Sequence, residues 1–258
     1  MSAKPITPHQ PKRFDGIVRR LQQFLHVNEI RQIVALIRYY YFTRIRRRMQ
    51  TYTGPNVDLG ENTLEYNLAK VRKSVTVNNR ILHLVRPVAA IEVVATHLPE
   101  QQVLAIGPRA ESELLAIAAY GFTWRNIRGL DLFSYSPTVD VGDMHALPYE
   151  DSSFDIIFNG WCLAYSDNQP LALQEMVRVA KPGGYIAIGQ GYTRLTDREE
   201  VIREHGEFLG GANRMNEIDD ILAPIADNID KIHFRHDISA EDRAAGYSAI
   251  LVVFSVKK

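Results

Sequence analysis

The stretch VLAIGPRAESELLAIAAYGF, residues 103–122, runs from four apolar residues through a tight turn into a helical pattern that stops at Gly121. Four consecutive apolar residues describe a strand covered on both faces, and glycine ends helices because it accepts a left-handed backbone. A chain that goes strand, turn, helix and strand again is driven toward a parallel crossover, since a hairpin cannot join parallel neighbours. Such a turn is also where α/β folds hold nucleotides, on a loop rich in glycine. Here the loop keeps only Gly107, and Pro108, Arg109 and Glu111 stand where small residues are expected.

The alternation continues down the chain. NIRGLDL, TVDVGD and SFDIIFNG read as a second, third and fourth strand, Gln169 to Val179 as a helix stopped by KPGG, and YIAIGQG as a fifth strand. Helical stretches are predicted around 198–208 and 216–225. KIHFRHDI and YSAILVVFSV are joined too closely for a crossover helix, so they are predicted to be an antiparallel pair at one edge. The fold class is α/β: a doubly wound sheet of about seven strands with an antiparallel last strand, over residues 99–258.

Residues 1–98 read differently, as a helical extension. Residues 1–13 hold three prolines and no pattern, which predicts a loosely held arm. From Phe14 to about Arg48, Ile17, Leu21, Phe24, Leu25, Ile30, Ile33, Val34, Ile37, Tyr41 and Ile45 recur at helical spacing, predicting two helices broken near 26–28. TGPNVDLGEN is a loop, and Asn62 to about Thr96 predicts further helix interrupted before Pro87. These helices are expected to form a lid or a homodimer surface over the site.

The net charge is zero, yet residues 1–50 hold eleven Lys/Arg against two Asp/Glu. The basic run RYYYFTRIRRRM suits an anionic membrane surface, a phosphate-bearing substrate or nucleic acid. The plainer reading is a solvated helix end whose arginines favour the negative end of the helix dipole. The single cysteine, Cys162, excludes an internal disulfide. No apolar run approaches the roughly 18 residues of a membrane span, and no secretory segment opens the chain, so the expected location is cytoplasmic, with a membrane-peripheral one left open.

In an open parallel sheet, ligands bind beyond the carboxyl ends of the strands near the switch in strand order. The first strand delivers Gly107, Pro108 and Arg109, the second Asp131 and Leu132, the third Gly142, Asp143, Met144 and His145, and the fourth Asn159, Gly160 and Trp161. A carboxylate after the second strand suits the two hydroxyls of a ribose. One after the third suits an adenine amino group, with Met144 as an apolar edge. Together they describe a pocket for an adenosine-type cofactor.

These residues carry a resemblance. VGDMHALPYEDSSFDIIFNGWCLAYSDN, followed by EMVRVAKPGGYIAIG, resembles the class I S-adenosylmethionine (SAM)-dependent methyltransferases of type 11. In that family a GDxxxLPF-like strand end meets adenine, an FD opens the fourth strand and a KPGG turn leads into the fifth. All three occur here in order. The resemblance spans about residues 102–192 and implies a Rossmann-like fold, SAM as cofactor, and O- or N-methylation of a small-molecule or glycan acceptor. It implies Asp131 on the ribose and Asp143 on the adenine; the candidate cofactor contacts are Gly107, Pro108, Arg109, Glu111, Asp131, Leu132, Gly142, Asp143, Met144, Asn159 and Gly160.

The sequence departs from the family at its first motif. The usual acidic residue two before the first glycine is Ala105, the later glycines are Arg109 and Glu111, and FSYSPT leaves no room for a helix between the second and third strands. Arg109 is suited to pair with the SAM carboxylate and Glu111 to accept from its ammonium. The alternative is a surface ion pair of little worth. His145 and Tyr192 are catalytic candidates, and Trp161, Tyr165 and Tyr192 are candidates to touch the acceptor. His205, His233 and His236 are scattered, and His233 and His236 fall on opposite faces of a strand, so no metal site is expected. A function of another class stays open: a catalytically inactive module that binds a partner through the basic N-terminal helices. A nicotinamide dinucleotide fits poorly, because its glycine fingerprint is missing.

Overall fold

The computed structural model describes residues 20, 22–54, 80–193 and 215–257. The arm at 1–13, most of the loop at 53–62, the helical reading of 62–79 and the helix expected at 198–208 lie outside the described residues.

Seven strands build one sheet among the described residues: β1 (Val103–Ile106), β2 (Ile127–Asp131), β3 (Val139–Val141), β4 (Phe154–Gly160), β5 (Ala180–Thr193), β6 (Ile229–His236) and β7 (Tyr247–Val256). Their order is β3-β2-β1-β4-β5-β7-β6. The first five are parallel to their neighbours, and β7 slots in antiparallel to both β5 and β6. The last two strands do pair antiparallel as expected. The final strand is one in from the edge, however, because β6 takes the outer place.

The helices are α1 (Asn28–Tyr40), α2 (Leu82–Ala89), α3 (Glu92–Ala95), α4 (Glu111–Ala119), α5 (Gln169–Val179), α6 (Ile218–Leu222) and α7 (Ala240–Ala245). Strand β1 shows why the sheet needs helices on both sides. Val103 and Ala105 point into one apolar cluster with α2 and α4, while Leu104 and Ile106 point into another with α5 and α6. The α2 residues Leu84, Val85 and Val88 share the first cluster with Ile156, Phe158 and Val253 of the sheet, so residues on both sides of position 98 form one core.

Two local readings change. Pro87 lies inside α2 and the helix runs on to Ala89. A proline six residues into so short a helix removes a single intrahelical hydrogen bond. The missing helix between β2 and β3 also has a replacement. Val34, Ala35 and Phe42, from α1 and the helical turn that continues it (Tyr41–Ile45), share a core with Phe133, Tyr135 and Val139, and Tyr39 meets Tyr135 edge-on at 5.2 Å. Just beyond, Gln50–Thr51 pairs antiparallel with Phe133–Ser134. The N-terminal segment thus covers the sheet where the short FSYSPT link cannot.

Candidate active site

The chain leaves β1 toward β2 on one side and later returns as β4 on the other, so the switch in strand order lies at the ends of β1 and β4. Gly107 makes the turn there. Its φ is +69°, a conformation natural to glycine, and its N–H donates to the Leu130 carbonyl at 2.8 Å. A Cβ at this position would sit 2.6 Å from the Cys162 Cβ. Pro108 nests against β2, where Gly129 leaves the space: a Cβ there would stand 2.8 Å from the Pro108 Cγ. A glycine inside a strand signals close approach, and Gly129 was the unused hint that the turn folds back on β2.

The clamp expected from Arg109 and Glu111 is not what this turn builds. Glu111 is fully buried. Arg38 of α1 grips it with two hydrogen bonds, Nε to Oε2 and Nη2 to Oε1, both 2.7 Å. Ser136 Oγ also donates to Oε1, and the Glu111 N–H donates to the Tyr135 hydroxyl at 3.1 Å. The cofactor role expected for Glu111 is therefore corrected: its carboxylate ties α1 and the FSYSPT segment to the start of α4.

Glu113, two residues on, is the other buried carboxylate at this helix start. It is 7% exposed. Burial pushes its pKa up to about 8, with Asp131 adding to the rise and the Arg109 and Arg80 charges opposing it. Burial likewise raises Asp131 to about 6, against the N–H groups of Phe133 and Leu132 and the Arg109 charge. Arg109, Glu113 and Asp131 therefore lie within one another's fields at the carboxyl ends of β1 and β2. Sequence reasoning missed Glu113 because one acidic residue at a helix start looks like another. The available signal was α4 itself: all nine of its residues are buried, so each of its glutamates needs a positive partner.

Cys162 closes this corner. Its Sγ donates to the Ile106 carbonyl at 3.2 Å and to Asn159 Oδ1 at 3.1 Å. Burial, then the charges of Asp131 and Glu113, drive its pKa far upward, so it stays a thiol. Asn159, expected to contact cofactor, is fully buried, and its Oδ1 accepts from Cys162 and from the Leu163 N–H at 3.2 Å. Its carboxamide oxygen is taken up in building the turn. Gly160 lies under α2, where a Cβ would meet the Ile81 Cδ1 at 3.4 Å.

After β3, Gly142 donates its N–H to the Asp131 carbonyl at 3.0 Å, which brings the two strand ends together. Asp143 is buried and Oδ1 accepts from the His145 N–H at 3.0 Å and from His145 Nδ1 at 2.7 Å. His145 Nε2 meets Ser166 Oγ at 2.6 Å. Both ring nitrogens are therefore engaged. The catalytic expectation for His145 gives way to a positioning role: the ring orients Asp143. Met144 packs half-buried against the core on the α5 and α6 side of the sheet, and the Leu132 carbonyl accepts from the Tyr52 N–H at 2.7 Å, which fixes the loop after Asp131.

The expected acceptor-side residues divide. Trp161 is held at φ +60°, an uncommon conformation for a non-glycine residue, by a 2.7 Å hydrogen bond from its N–H to the Gly189 carbonyl. Its ring packs over Gly189, with Arg80 5.8 Å above it. Tyr165 is exposed on the turn Leu163–Tyr165. Tyr192 is instead buried in the core on the α5 and α6 side of the sheet, beneath the Arg243 guanidinium at 5.7 Å. It does not join Trp161, and its expected catalytic and substrate roles are corrected on that ground. Among the described residues no group of three His, Cys, Asp or Glu is placed to hold a metal.

Known proteins are similar to this chain in its central part. The methyltransferase domain family profile matches residues 104–188. A malonyl-[acyl-carrier protein] O-methyltransferase of Halorhodospira halophila is 40% identical over 50 residues, which is 19% of this chain and 17% of that protein. Norajmaline N-methyltransferase of Rauvolfia serpentina is 41% identical over 49 residues, 19% of this chain and 17% of that protein. Methyltransferase GfsG of Streptomyces halstedii is 31% identical over 120 residues, 45% of this chain and 42% of the relative. The matches thus span about a sixth of the first two relatives and under half of the third. A chain of the solved complex between the Haloferax volcanii Trm112 methyltransferase activator and its methyltransferase partner superposes with a TM-score of 0.52 at 17% identity, covering 76% of this chain and 97% of that one, a likeness of fold. Residues 104–188 are thus similar to the methyltransferase domain family, and they lie in the α/β sheet expected from the sequence.

Proposed function

We propose that the protein is a SAM-dependent methyltransferase that acts on the oxygen or nitrogen of a small-molecule or glycan acceptor. The observation that carries the reading is the set of Gly107, Arg109, Glu113 and Asp131 at the ends of adjacent strands. Burying a carboxylate, as Glu113 is buried, is costly unless a cation completes it. The ammonium of an amino-acid ligand is such a cation, and Arg109, whose charge reaches Glu113, is suited to the ligand's carboxylate. In this reading Asp131 takes the ribose hydroxyls, and Asp143, held by His145, takes the adenine amino group. The donor set therefore fits SAM from one end to the other, with Glu113 replacing the acidic residue that position 105 lacks.

When bound, SAM supplies a methyl group already activated by its sulfonium. The chain's own part is to orient the acceptor and exclude water. Trp161 and Tyr165 follow β4 directly and are the residues proposed to meet the acceptor. The curated relatives support both acceptor elements, since one is an O-methyltransferase and another an N-methyltransferase. The test is photolabelling with methyl-labelled SAM. Wild-type protein is expected to take label that excess S-adenosylhomocysteine removes, and Asp131→Ala is expected to lose it. Equal labelling of both proteins would overturn the assignment of the ribose site.

A further inference from the structure

Helix α1 is inside out. Its buried face carries two arginines, Arg31 and Arg38, together with Val34 and Ala35. Its outer face carries Ile33, Ile37 and Tyr40, spaced four and then three residues apart. Ile33 is 55% exposed, Ile37 56%, and Ile45 in the following turn 71%. Leu36, Ile37, Tyr40, Tyr41, Arg44 and Ile45 line a shallow apolar groove along this side. A helix that spends arginines inward and isoleucines outward has its apolar face made for something other than the core.

The charge beside this face names its occupant. Arg44, Arg46 and Arg47 are exposed at the end of the stripe, next to the exposed Met49. Between Ile30 and Gly54 the sequence holds no Asp or Glu. The geometry points to an anionic lipid bilayer: α1 and its continuing turn lie in the membrane interface, with Ile33, Ile37, Tyr40 and Ile45 among the acyl chains and the three arginines on the phosphates. An apolar face flanked by arginines is the pattern of interfacial helices, and interfacial tyrosine suits the headgroup level. A nucleic acid would satisfy the arginines and leave the isoleucines in water. A second copy of this chain would bring arginines against arginines. No helix of the described residues is long and apolar enough to cross the bilayer, so attachment is to its surface.

The same helix reaches the site from behind, since Arg38 on its inner face binds Glu111 at the start of α4. A bilayer against α1 would therefore stand next to the element that carries Glu113. The docking face does not depend on the cofactor reading, and its test is independent of SAM.

The experiment is cosedimentation of the full chain with vesicles of phosphatidylcholine plus phosphatidylglycerol, and with vesicles of phosphatidylcholine alone. Wild type is expected to pellet with the anionic vesicles, less at high salt, and to stay in solution with the neutral ones. Ile37→Asp and the triple variant Arg44→Glu, Arg46→Glu, Arg47→Glu are each expected to reduce partitioning by about tenfold or more. All of these positions are exposed, and matching circular dichroism and melting curves confirm that the variants are folded. Wild type that ignores anionic vesicles overturns the proposal. So does an Ile37→Asp variant that binds as well as wild type, since the apolar face would then be idle. Conversion of a dimer to a monomer by Ile37→Asp with unchanged vesicle binding would assign the face to a second copy, and retention of RNA without vesicle binding would assign it to nucleic acid.

Discussion

Arg38 on α1 and Glu111 at the first position of α4 form a two-pronged ion pair, both hydrogen bonds 2.7 Å, with the two side chains 2% and 0% exposed. The guanidinium also lies 5.1 Å from the Trp124 ring and 5.2 Å from that of Phe42. A buried pair with this geometry joins the N-terminal helix to the element that frames the site. Removing one partner strands the other charge in the core. Arg38→Met is expected to cost about 3–5 kcal/mol in urea unfolding, and Arg38→Met with Glu111→Gln to recover part of it. A single-variant loss below 1 kcal/mol would show that the pair is not buried in solution.

Glu113 makes stability depend on pH in a definite direction. Its folded pKa, about 8, lies above the ordinary 4.5, so the folded state holds the proton more tightly than the unfolded state. The stability this provides is complete below about pH 4.5 and is lost as pH rises toward 8. Glu113→Gln cannot ionise, so it should gain on wild type across that window, by at most about 1.4 kcal/mol per pH unit. Parallel stability curves for the two proteins would show that Glu113 titrates normally.

Ligand binding should report the same carboxyl. An ammonium beside Glu113 favours its ionised form, so SAM binding near neutral pH should release a proton. Calorimetry in buffers of different ionisation enthalpy measures this directly. Wild type is expected to release a fraction of a proton per SAM and Glu113→Gln close to none.

Gly107 leaves no space for substitution. Alanine there would hold an unfavourable φ of +69° and press its Cβ to 2.6 Å from the Cys162 Cβ. Gly107→Ala is expected to lose about 1–3 kcal/mol of stability and to bind SAM weakly. Adding Cys162→Ala should not rescue it, because the clashing Cβ remains.

His145 separates positioning from catalysis. With Nδ1 on Asp143 and Nε2 on Ser166, its loss should loosen Asp143 and leave the transfer step intact. His145→Ala is expected to raise the KM for SAM with little change in kcat or in the pH profile of kcat. A large fall in kcat with the acidic limb of the profile abolished would make His145 the base after all.

The sheet was legible because its strands are uniform apolar runs bounded by turn residues, and the KPGG and Gly121 stops mark boundaries that depend on backbone conformation alone. The placement of Asp131 and Asp143 was legible for a related reason: a carboxylate after an apolar strand emerges at the strand's end. What the sequence hid depends on partners distant in the chain. Nothing local separates Glu111 from Glu113, and only Arg38, 73 residues earlier, decides which of them is neutralised. The outward turn of Ile33 and Ile37 was hidden likewise, since a periodic apolar pattern reveals that a helix has a face and not where that face points.

The measurement that bears most directly on the site compares S-adenosylhomocysteine with 5′-methylthioadenosine, which share the adenosine and differ at the amino-acid end, by calorimetric titration of wild type and Glu113→Gln. Wild type should prefer S-adenosylhomocysteine, and Glu113→Gln should lose most of that preference while keeping its affinity for methylthioadenosine. A preference that survives the substitution would contradict the role given to Glu113, and an absence of binding by either ligand at millimolar concentration would contradict the SAM site as a whole.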